Sequence, residues 1–212
     1  MADKCEERGE VIKRGKFIVF EGLDGSGKTT HIKRLTKHLQ KQDIRCLATK
    51  EPTDGIIGNI ARLALHGKEP LSIDALALIF AADRAEHIAK QINPALTAGL
   101  HVLCDRFVYS NMAFQGTAIP LNTIAAYNER SLTAPDMTIF IDVTPEECAR
   151  RQSRRKIKEI YDGLKLAQEI RSLYFEAFEQ HKERMPVTVV DGNGEEDEVF
   201  ARLLAVVTAL LV

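Results

Sequence analysis

Short apolar runs alternate along the chain with longer segments in which apolar residues recur at three- and four-residue steps. The runs are rich in Val, Ile, Leu and Phe and occupy residues 16–21 (KFIVFE), 45–49, 101–105 (HVLCD), 138–143 (TIFIDV) and 187–191 (VTVVD). Runs of this length and composition predict strands that are buried on both faces.

Amphipathic segments between these runs predict helices. Ile32, Leu35 and Leu39 recur at helical spacing in residues 28–42, and similar patterns cover residues 56–66, 72–92 and 195–211. Ser72 is placed to cap the long helix over 72–92, and Thr144 opens a capping box with Glu147.

Strands that alternate with helices predict an α/β fold, with a five-stranded parallel sheet between two layers of helices. In such sheets ligands bind beyond the carboxyl ends of the strands. We therefore expect the functional residues to lie just after strands, or on helices that face the same edge.

The chain of 212 residues predicts one domain over residues 16–212, with a flexible tail over residues 1–15. Formal net charge is −1, which argues against binding to long nucleic acid. The N-terminal residues lack the apolar region of a signal peptide, and no apolar run is long enough to span a bilayer. The four cysteines are widely separated and form no metal-binding pattern. We expect a soluble, cytoplasmic protein without a membrane partner.

The stretch FEGLDGSGKTT, residues 20–30, follows the first predicted strand and fits the phosphate-binding pattern G-x-x-x-x-G-K-[ST]. Glycines let backbone N–H groups approach phosphates, Lys28 supplies a cation, and the Thr29 hydroxyl is placed to hold Mg²⁺. The candidate ATP-binding residues are Gly22, Leu23, Asp24, Gly25, Ser26, Gly27, Lys28, Thr29 and Thr30. A GTPase is disfavoured because no N-K-x-D motif follows.

Three further stretches accompany this loop: TKEPTDG (residues 49–55), LIFAADRAEH (78–87) and DRFVYSNMAFQG (105–116). Together the four blocks resemble thymidylate kinase in order and spacing, and APDMTIFIDVTPE from Ala134 is a softer match. The resemblance implies a homodimer that uses Mg²⁺ and ATP to convert dTMP to dTDP. It also implies a P-loop nucleoside monophosphate kinase fold.

Phe80 and Arg84 are four positions apart and share one face of the predicted helix. An aromatic ring and a guanidinium suit a flat pyrimidine, one for stacking and the other for its carbonyl edge. Asp105 ends a strand, where a carboxylate can hold Mg²⁺, and Arg106 is placed to bridge the donor and acceptor phosphates. The resemblance implies these same roles.

Other dTMP-site residues come from the resemblance. Phe114 corresponds to an aromatic that crowds the sugar 2′ position, and Asp24 to a carboxylate near the acceptor 3′-hydroxyl. Lys50 replaces a frequent arginine that attracts the monophosphate, and Pro52 follows in the same turn. Ser110, Asn111 and Gln115 match positions around the base edge. The Gln115 amide offers a donor and an acceptor to thymine N3 and O4, and we prefer Gln115 over Asn111 for this contact.

The stretch RRQSRRKIKEIYD predicts a mobile lid at residues 150–162. In the family the assisting cation lies in the phosphate loop or in the lid, and here the loop position is Gly25. Ile160 occupies the place of the usual lid arginine, so another arginine must serve. Arg151 and Arg155 are our candidates because they share a helix face; Arg150 and Arg154 remain open alternatives.

Two alternative functions stay open. One is the same chemistry on another acceptor, such as another (deoxy)nucleoside monophosphate, dUMP or a deoxynucleoside. A nucleotide-binding regulator without transfer activity is the alternative of another class, and Ile160 is the residue that motivates it.

Overall fold

A computed structural model describes residues 13–153, 160–161 and 163–211. Its sheet has five parallel strands in the order β2-β3-β1-β4-β5. The strands are β1 (Phe17–Glu21), β2 (Cys46–Lys50), β3 (His101–Asp105), β4 (Met137–Asp142) and β5 (Val187–Asp191). Their bounds agree with the predicted strands to within one residue at each end. The predicted α/β fold with a five-stranded parallel sheet is therefore confirmed.

Helices connect the strands. They are α1 (Lys28–Gln40), α2 (Ile56–Leu65), α3 (Ile73–His87), α4 (Asn93–Thr97), α5 (Val108–Gln115), α6 (Leu121–Glu129), α7 (Pro145–Gln152), α8 (Leu164–His181) and α9 (Glu196–Leu211). Every residue of β1 is buried, which requires cover on both faces of the sheet. Aromatic residues of α8 pack on β4, with the rings of Tyr174 and Phe140 4.9 Å apart.

The helix predicted over residues 72–92 is longer and less regular than expected. The Ser72 hydroxyl caps it by accepting the N–H of Ala75 at 3.2 Å, as predicted. After His87 the chain widens into a π-helical turn (Ile88–Ile92) and continues as α4. The widening lies just before Pro94, which has no N–H to donate and whose ring disfavours the regular helix before it.

The capping box predicted at Thr144 is only half formed. The Thr144 hydroxyl accepts the N–H of Glu147 at 3.4 Å, but the Thr144 N–H donates to the side chain of Asn193. The Glu147 carboxylate instead holds Arg150 and Arg151. Two arginines next to the carboxylate thus compete successfully for the acceptor that a full capping box would use.

Most of the predicted N-terminal tail lies outside the described residues. In the described part of the tail, Arg14 pairs with Asp136 at 2.8 Å, and the Gly15 N–H donates to the carbonyl of Leu96 at 2.9 Å. Among the described helices none combines the length and the apolar character that crossing a bilayer requires.

Candidate active site

The carboxyl ends of β1, β2 and β3 bring the predicted site residues to one edge of the sheet. The loop after β1 leads into α1, and its backbone enters the left-handed region at Gly25 (φ 86°) and Gly27 (φ 92°). Those conformations are strained for residues with a side chain, so glycine is required for the loop to turn there.

Lys28 lies inside this loop. Its buried Nζ donates to the carbonyl oxygens of Gly22 and Leu23, both at 2.9 Å. Burial and the neighbouring Arg106 lower the pKa of Lys28 to about 8. The amine is thus held where the loop closes on itself, and its charge is sensitive to pH in the alkaline range.

Thr29 and Asp105 come together beside the loop. The Thr29 hydroxyl donates to Oδ2 of Asp105 at 2.5 Å. Among the residues that the structure describes, no group of three or more His, Cys, Asp or Glu side chains could hold a metal ion. A hydroxyl and one carboxylate nevertheless suit Mg²⁺, which binds few protein oxygens and completes its shell with water and phosphate.

Arg106 lies directly after β3 in an unusual backbone conformation, with φ 70°. Its guanidinium contacts Asp24 at 2.6 Å and Ser110 at 2.8 Å, and lies 4.9 Å from the ring centroid of Phe114. Burial opposes the charge, but Asp24 and other nearby acidic groups hold the pKa of Arg106 above its usual value. Strained backbone at such a position is typical of functional sites.

Glu21 supports this turn and was not predicted from the sequence. Its buried carboxylate accepts the N–H groups of Phe107 (2.9 Å) and Ser110 (3.0 Å). It also accepts the hydroxyls of Ser110 (2.5 Å) and Tyr174 (3.0 Å). Burial raises the pKa of Glu21 despite these donors. A carboxylate at the end of a fully apolar strand was the signal available in the sequence.

Two of the cavities at this edge of the sheet contain most of the predicted site residues. The first contains predicted dTMP-site residues: Asp24, Lys50, Pro52, Phe80, Arg84, Arg106, Ser110, Phe114 and Gln115. The second runs along the phosphate loop past Gly25, Gly27, Lys28, Thr29, Thr30 and Asp105. Four residues line both cavities: Asp24, Lys50, Glu51 and Arg106. The two cavities therefore meet at Arg106.

Arg84 forms the floor of the first cavity and is almost fully buried. Nη2 lies 2.7 Å from Oε2 of Glu51 as an ion pair, and Nη1 donates to Asn128 at 2.5 Å and to Asn111 at 3.3 Å. Its Nε has no hydrogen-bond partner among the described residues. Phe80 lines the same cavity.

Gln115 has both ends of its amide engaged. Nε2 donates to the hydroxyl of Tyr161 at 2.8 Å, and Oε1 accepts from Asn111 at 2.9 Å. The Tyr161 ring also meets Phe114 edge-on, with centroids 5.2 Å apart. Each end makes one contact, so Nε2 still has a second hydrogen and Oε1 a second lone pair for a ligand. Tyr161, in the predicted lid, is a cavity residue that the sequence analysis missed.

Lys50 is half-exposed and lines both cavities. It pairs with Asp54 at 3.1 Å, a contact that solvent screens. Pro52 follows a cis peptide bond and accepts a hydrogen bond from Arg62 through its carbonyl at 2.9 Å.

The described part of the predicted lid begins in the last turn of α7. Arg151 donates to Glu147 at 2.7 Å and reaches the carbonyl of Gly25 at 3.4 Å. Arg150 makes a two-pronged contact with Glu147. Both arginines line the second cavity. Arg154 and Arg155 lie outside the described residues.

The far end of the second cavity is lined by residues that the sequence analysis did not select: His31, Gly192, Gly194, Glu195, Glu196 and Val199. They come from α1, from the turn between β5 and α9, and from the first turn of α9. No short motif marks this turn in the sequence, and its place follows only from the order of the strands.

Comparison with known proteins finds one family across most of the chain. The family model "Thymidylate kinase" matches residues 20–203. A probable thymidylate kinase of Pyrococcus abyssi is 38% identical over 201 residues, covering 92% of this chain and 96% of the relative. Thymidylate kinases of Clostridium novyi (33%; 89% and 96% covered) and Bacillus pumilus (35%; 91% and 95% covered) are similar as well.

The lowered pKa of Lys28 predicts that triphosphate binding depends on pH. Because its pKa is about 8 in the free protein, we expect the affinity for Mg²⁺-free ATP to fall as pH rises above 8. Above this pKa the Lys28 amine is neutral and must take up a proton for ATP to bind, so the affinity should fall by nearly tenfold per pH unit. Isothermal titration between pH 7 and 10 measures it, in a range where the phosphates, with a second pKa near ~6, change little.

The matched control is Lys28→Arg, whose guanidinium stays charged throughout this range. Its ATP affinity should be nearly independent of pH over the same interval. An equally steep fall in both proteins would show that another group is responsible.

Proposed function

The chain belongs to the thymidylate kinase family, and we propose that the two cavities bind ATP and dTMP end to end, with their reacting phosphates at Arg106. The enzyme transfers the γ-phosphoryl group of ATP to dTMP, giving ADP and dTDP. The observation that carries the proposal is the meeting of the two cavities at residues that line both.

The donor lies in the cavity along the phosphate loop. Backbone N–H groups of the loop and the N-terminus of α1 face the phosphates, as in other phosphate-binding loops. Lys28 exchanges its contacts with the carbonyls of Gly22 and Leu23 for phosphate oxygens. This exchange lets a buried ammonium group remain hydrogen-bonded in both states.

Thr29 and Asp105 would hold Mg²⁺ between them and the phosphates. Bound Mg²⁺ supplies charge neutralisation for the phosphates during transfer. In the free protein the Thr29 hydroxyl and the Asp105 carboxylate satisfy each other, and this proximity supports a shared oxygen site.

The acceptor lies in the other cavity. Phe80 stacks on the pyrimidine, and Arg84 and Gln115 contact its polar edge, while Phe114 leaves no room for a 2′-hydroxyl. Ser110 supports the site indirectly: its hydroxyl donates to Glu21 and accepts a hydrogen bond from Arg106.

The phosphate end of the acceptor lies toward the β2 turn. Lys50 and Pro52 form that turn, and Lys50 must leave its exposed contact with Asp54 to meet the monophosphate. Asp24 lies near the 3′-hydroxyl and holds Arg106 at the junction of the cavities.

Catalysis consists mainly of alignment and charge neutralisation, because a loose phosphoryl-transfer transition state needs little covalent assistance. Lys28 and Arg106 carry positive charge to the transferring group. Arg106 is already fixed by Asp24 and Ser110, so little reorganisation is required when the substrates meet.

A cation from the lid completes the site. We assign it to Arg151, which reaches the loop carbonyl of Gly25, with Arg155 as a second candidate outside the described residues. Gly25 has no side chain to play this part. Ile160 donates its backbone N–H to the carbonyl of Leu65 at 3.1 Å and offers no charge.

The compartment and the oligomeric state are further parts of the proposal. The three described cysteines, Cys46, Cys104 and Cys148, are unpaired, which suits a reducing cytoplasm. Exposed apolar side chains lie on two helices that pack together: Ile56, Ile60 and Leu63 on α2, and Ile73 and Leu78 on α3. They support a homodimer through these helices.

A panel of acceptors tests the function. We expect dTMP to be the preferred substrate over dUMP, dCMP, dGMP and UMP when ADP release is measured in a coupled assay with Mg²⁺ and ATP. Lys28→Ala should abolish turnover, because the donor phosphates lose their buried cation. Preference for another monophosphate would contradict the acceptor assignment, and absence of turnover in the wild-type protein would favour the regulator.

The lid assignment predicts different effects for two neighbouring arginines. Arg151→Ala should lower kcat by about a hundredfold, because a preorganised donor to the transition-state charge is lost. Arg150→Ala should have a much smaller effect, since its side chain is 64% exposed against 29% for Arg151. A larger loss of kcat for Arg150→Ala would contradict the assignment.

The dimer proposal predicts a change of oligomeric state. Leu78→Glu places a charge on the exposed apolar surface of α3, and we expect it to convert a dimer to a monomer. Sedimentation velocity measures this, with Leu164→Glu, an exposed apolar residue on α8, as the matched control. A monomeric wild-type protein would contradict the proposal.

A further inference from the structure

His87 is completely buried at the end of α3, behind the acceptor cavity, and does not line that cavity. Its ring joins Thr49, in β2, to Glu51, the first residue after that strand. Nδ1 lies 3.1 Å from Oε1 of Glu51, and Nε2 lies 2.7 Å from the hydroxyl of Thr49. No sequence motif assigns a role to this histidine.

The carboxylate fixes one hydrogen position on the ring. Glu51 as a carboxylate only accepts hydrogen bonds, so Nδ1 carries a hydrogen and donates it. The Thr49 hydroxyl on the other side of the ring also donates to Oε1 of Gln91 at 3.4 Å. The imidazole thus holds one oxygen of the Glu51 carboxylate in a fixed direction.

The second oxygen of Glu51 faces Arg84. Oε2 lies 2.7 Å from Nη2 of Arg84, and both side chains are nearly inaccessible to solvent. Oε2 makes no aligned hydrogen bond within the described residues, and Nε of Arg84 has no partner there either, so the contact is an ion pair. A buried ion pair is weakened by each polar atom that stays without a partner, and His87 removes one such atom by engaging Oε1. Oε2 is then the carboxylate oxygen that faces Arg84.

The same face of α3 also holds the turn after β2 at a further point. The carboxylate of Asp83 accepts from the Thr53 hydroxyl at 2.6 Å and from the Thr53 N–H at 2.7 Å. The segment from Thr49 to Thr53 is thus attached to α3 at its beginning, middle and end. Arg84 lies between these attachments.

We propose that His87 is a positioning residue for pyrimidine recognition: it orients Glu51, and Glu51 in turn holds the Arg84 guanidinium in the geometry that contacts the base. The inference rests on the proposed function, in which Arg84 contacts thymine. It adds that the affinity for the base depends on a side chain that does not touch the base.

Thymidine is the sharpest probe, because it carries the base but no phosphate. We expect His87→Phe and His87→Gln to raise the Kd for thymidine and for dTMP by a similar factor, about ten- to a hundredfold. That range corresponds to loss of a hydrogen bond to a charged group. The Kd for ATP should change by less than about twofold, measured by isothermal titration.

Three variants at this position separate positioning from packing. Phe keeps the ring volume without polar atoms, Gln places its amide near the Nε2 position, and Asn places an amide N–H near the Nδ1 position. His87→Asn should therefore retain thymidine binding within about threefold, although it packs less well. His181→Asn, which alters a histidine at the end of α8 away from both cavities, is the matched control and should bind thymidine normally.

The outcomes are distinct. Wild-type affinity of both loss variants for thymidine would overturn the inference, as would weakened dTMP binding with normal thymidine binding. Equal loss for ATP would indicate a general structural defect and would overturn it too. If the wild-type protein itself bound neither thymidine nor dTMP, the proposed function would fail instead.

Discussion

The contact between the guanidinium of Arg106 and the carboxylate of Asp24, at 2.6 Å, ties the loop after β1 to the turn after β3 where the two cavities meet. Arg106 adopts a left-handed conformation there, which is unfavourable for a residue with a side chain. Glu21 stabilises this turn by accepting the N–H groups of Phe107 and Ser110. The position of the guanidinium where the two cavities meet thus depends on a buried carboxylate that lines neither cavity.

The free protein keeps its charged site groups occupied by internal partners. The Lys28 ammonium donates to loop carbonyls, the Thr29 hydroxyl to Asp105, and the Arg106 guanidinium to Asp24. Substrates and metal would therefore exchange one set of polar contacts for another, which avoids the cost of unpaired buried groups. The same arrangement keeps these groups close to their working positions before the substrates bind, which is the basis of electrostatic catalysis.

Parts of this architecture were readable from the sequence because they depend on local patterns. Apolar runs predicted each strand, and the glycines, Lys28 and Thr29 of the phosphate loop follow one another in a short motif. The contacts that hold Arg84 in the acceptor cavity could not be predicted from the sequence, because its partners Glu51 and Asn128 lie in distant segments of the chain. The capping box predicted at Thr144 was only half right, because Arg150 and Arg151 bind the Glu147 carboxylate that would otherwise accept the Thr144 N–H.

The most direct test of end-to-end binding uses one molecule that joins adenosine to deoxythymidine through a chain of five phosphates. If the two cavities meet at Arg106, this compound should fill both and bind at least a hundredfold more tightly than ATP or dTMP alone, since joining two ligands makes the second binding event intramolecular. Isothermal titration gives all three Kd values. An affinity no higher than that of ATP would contradict the account, because it would mean that the two nucleotides do not occupy adjoining sites.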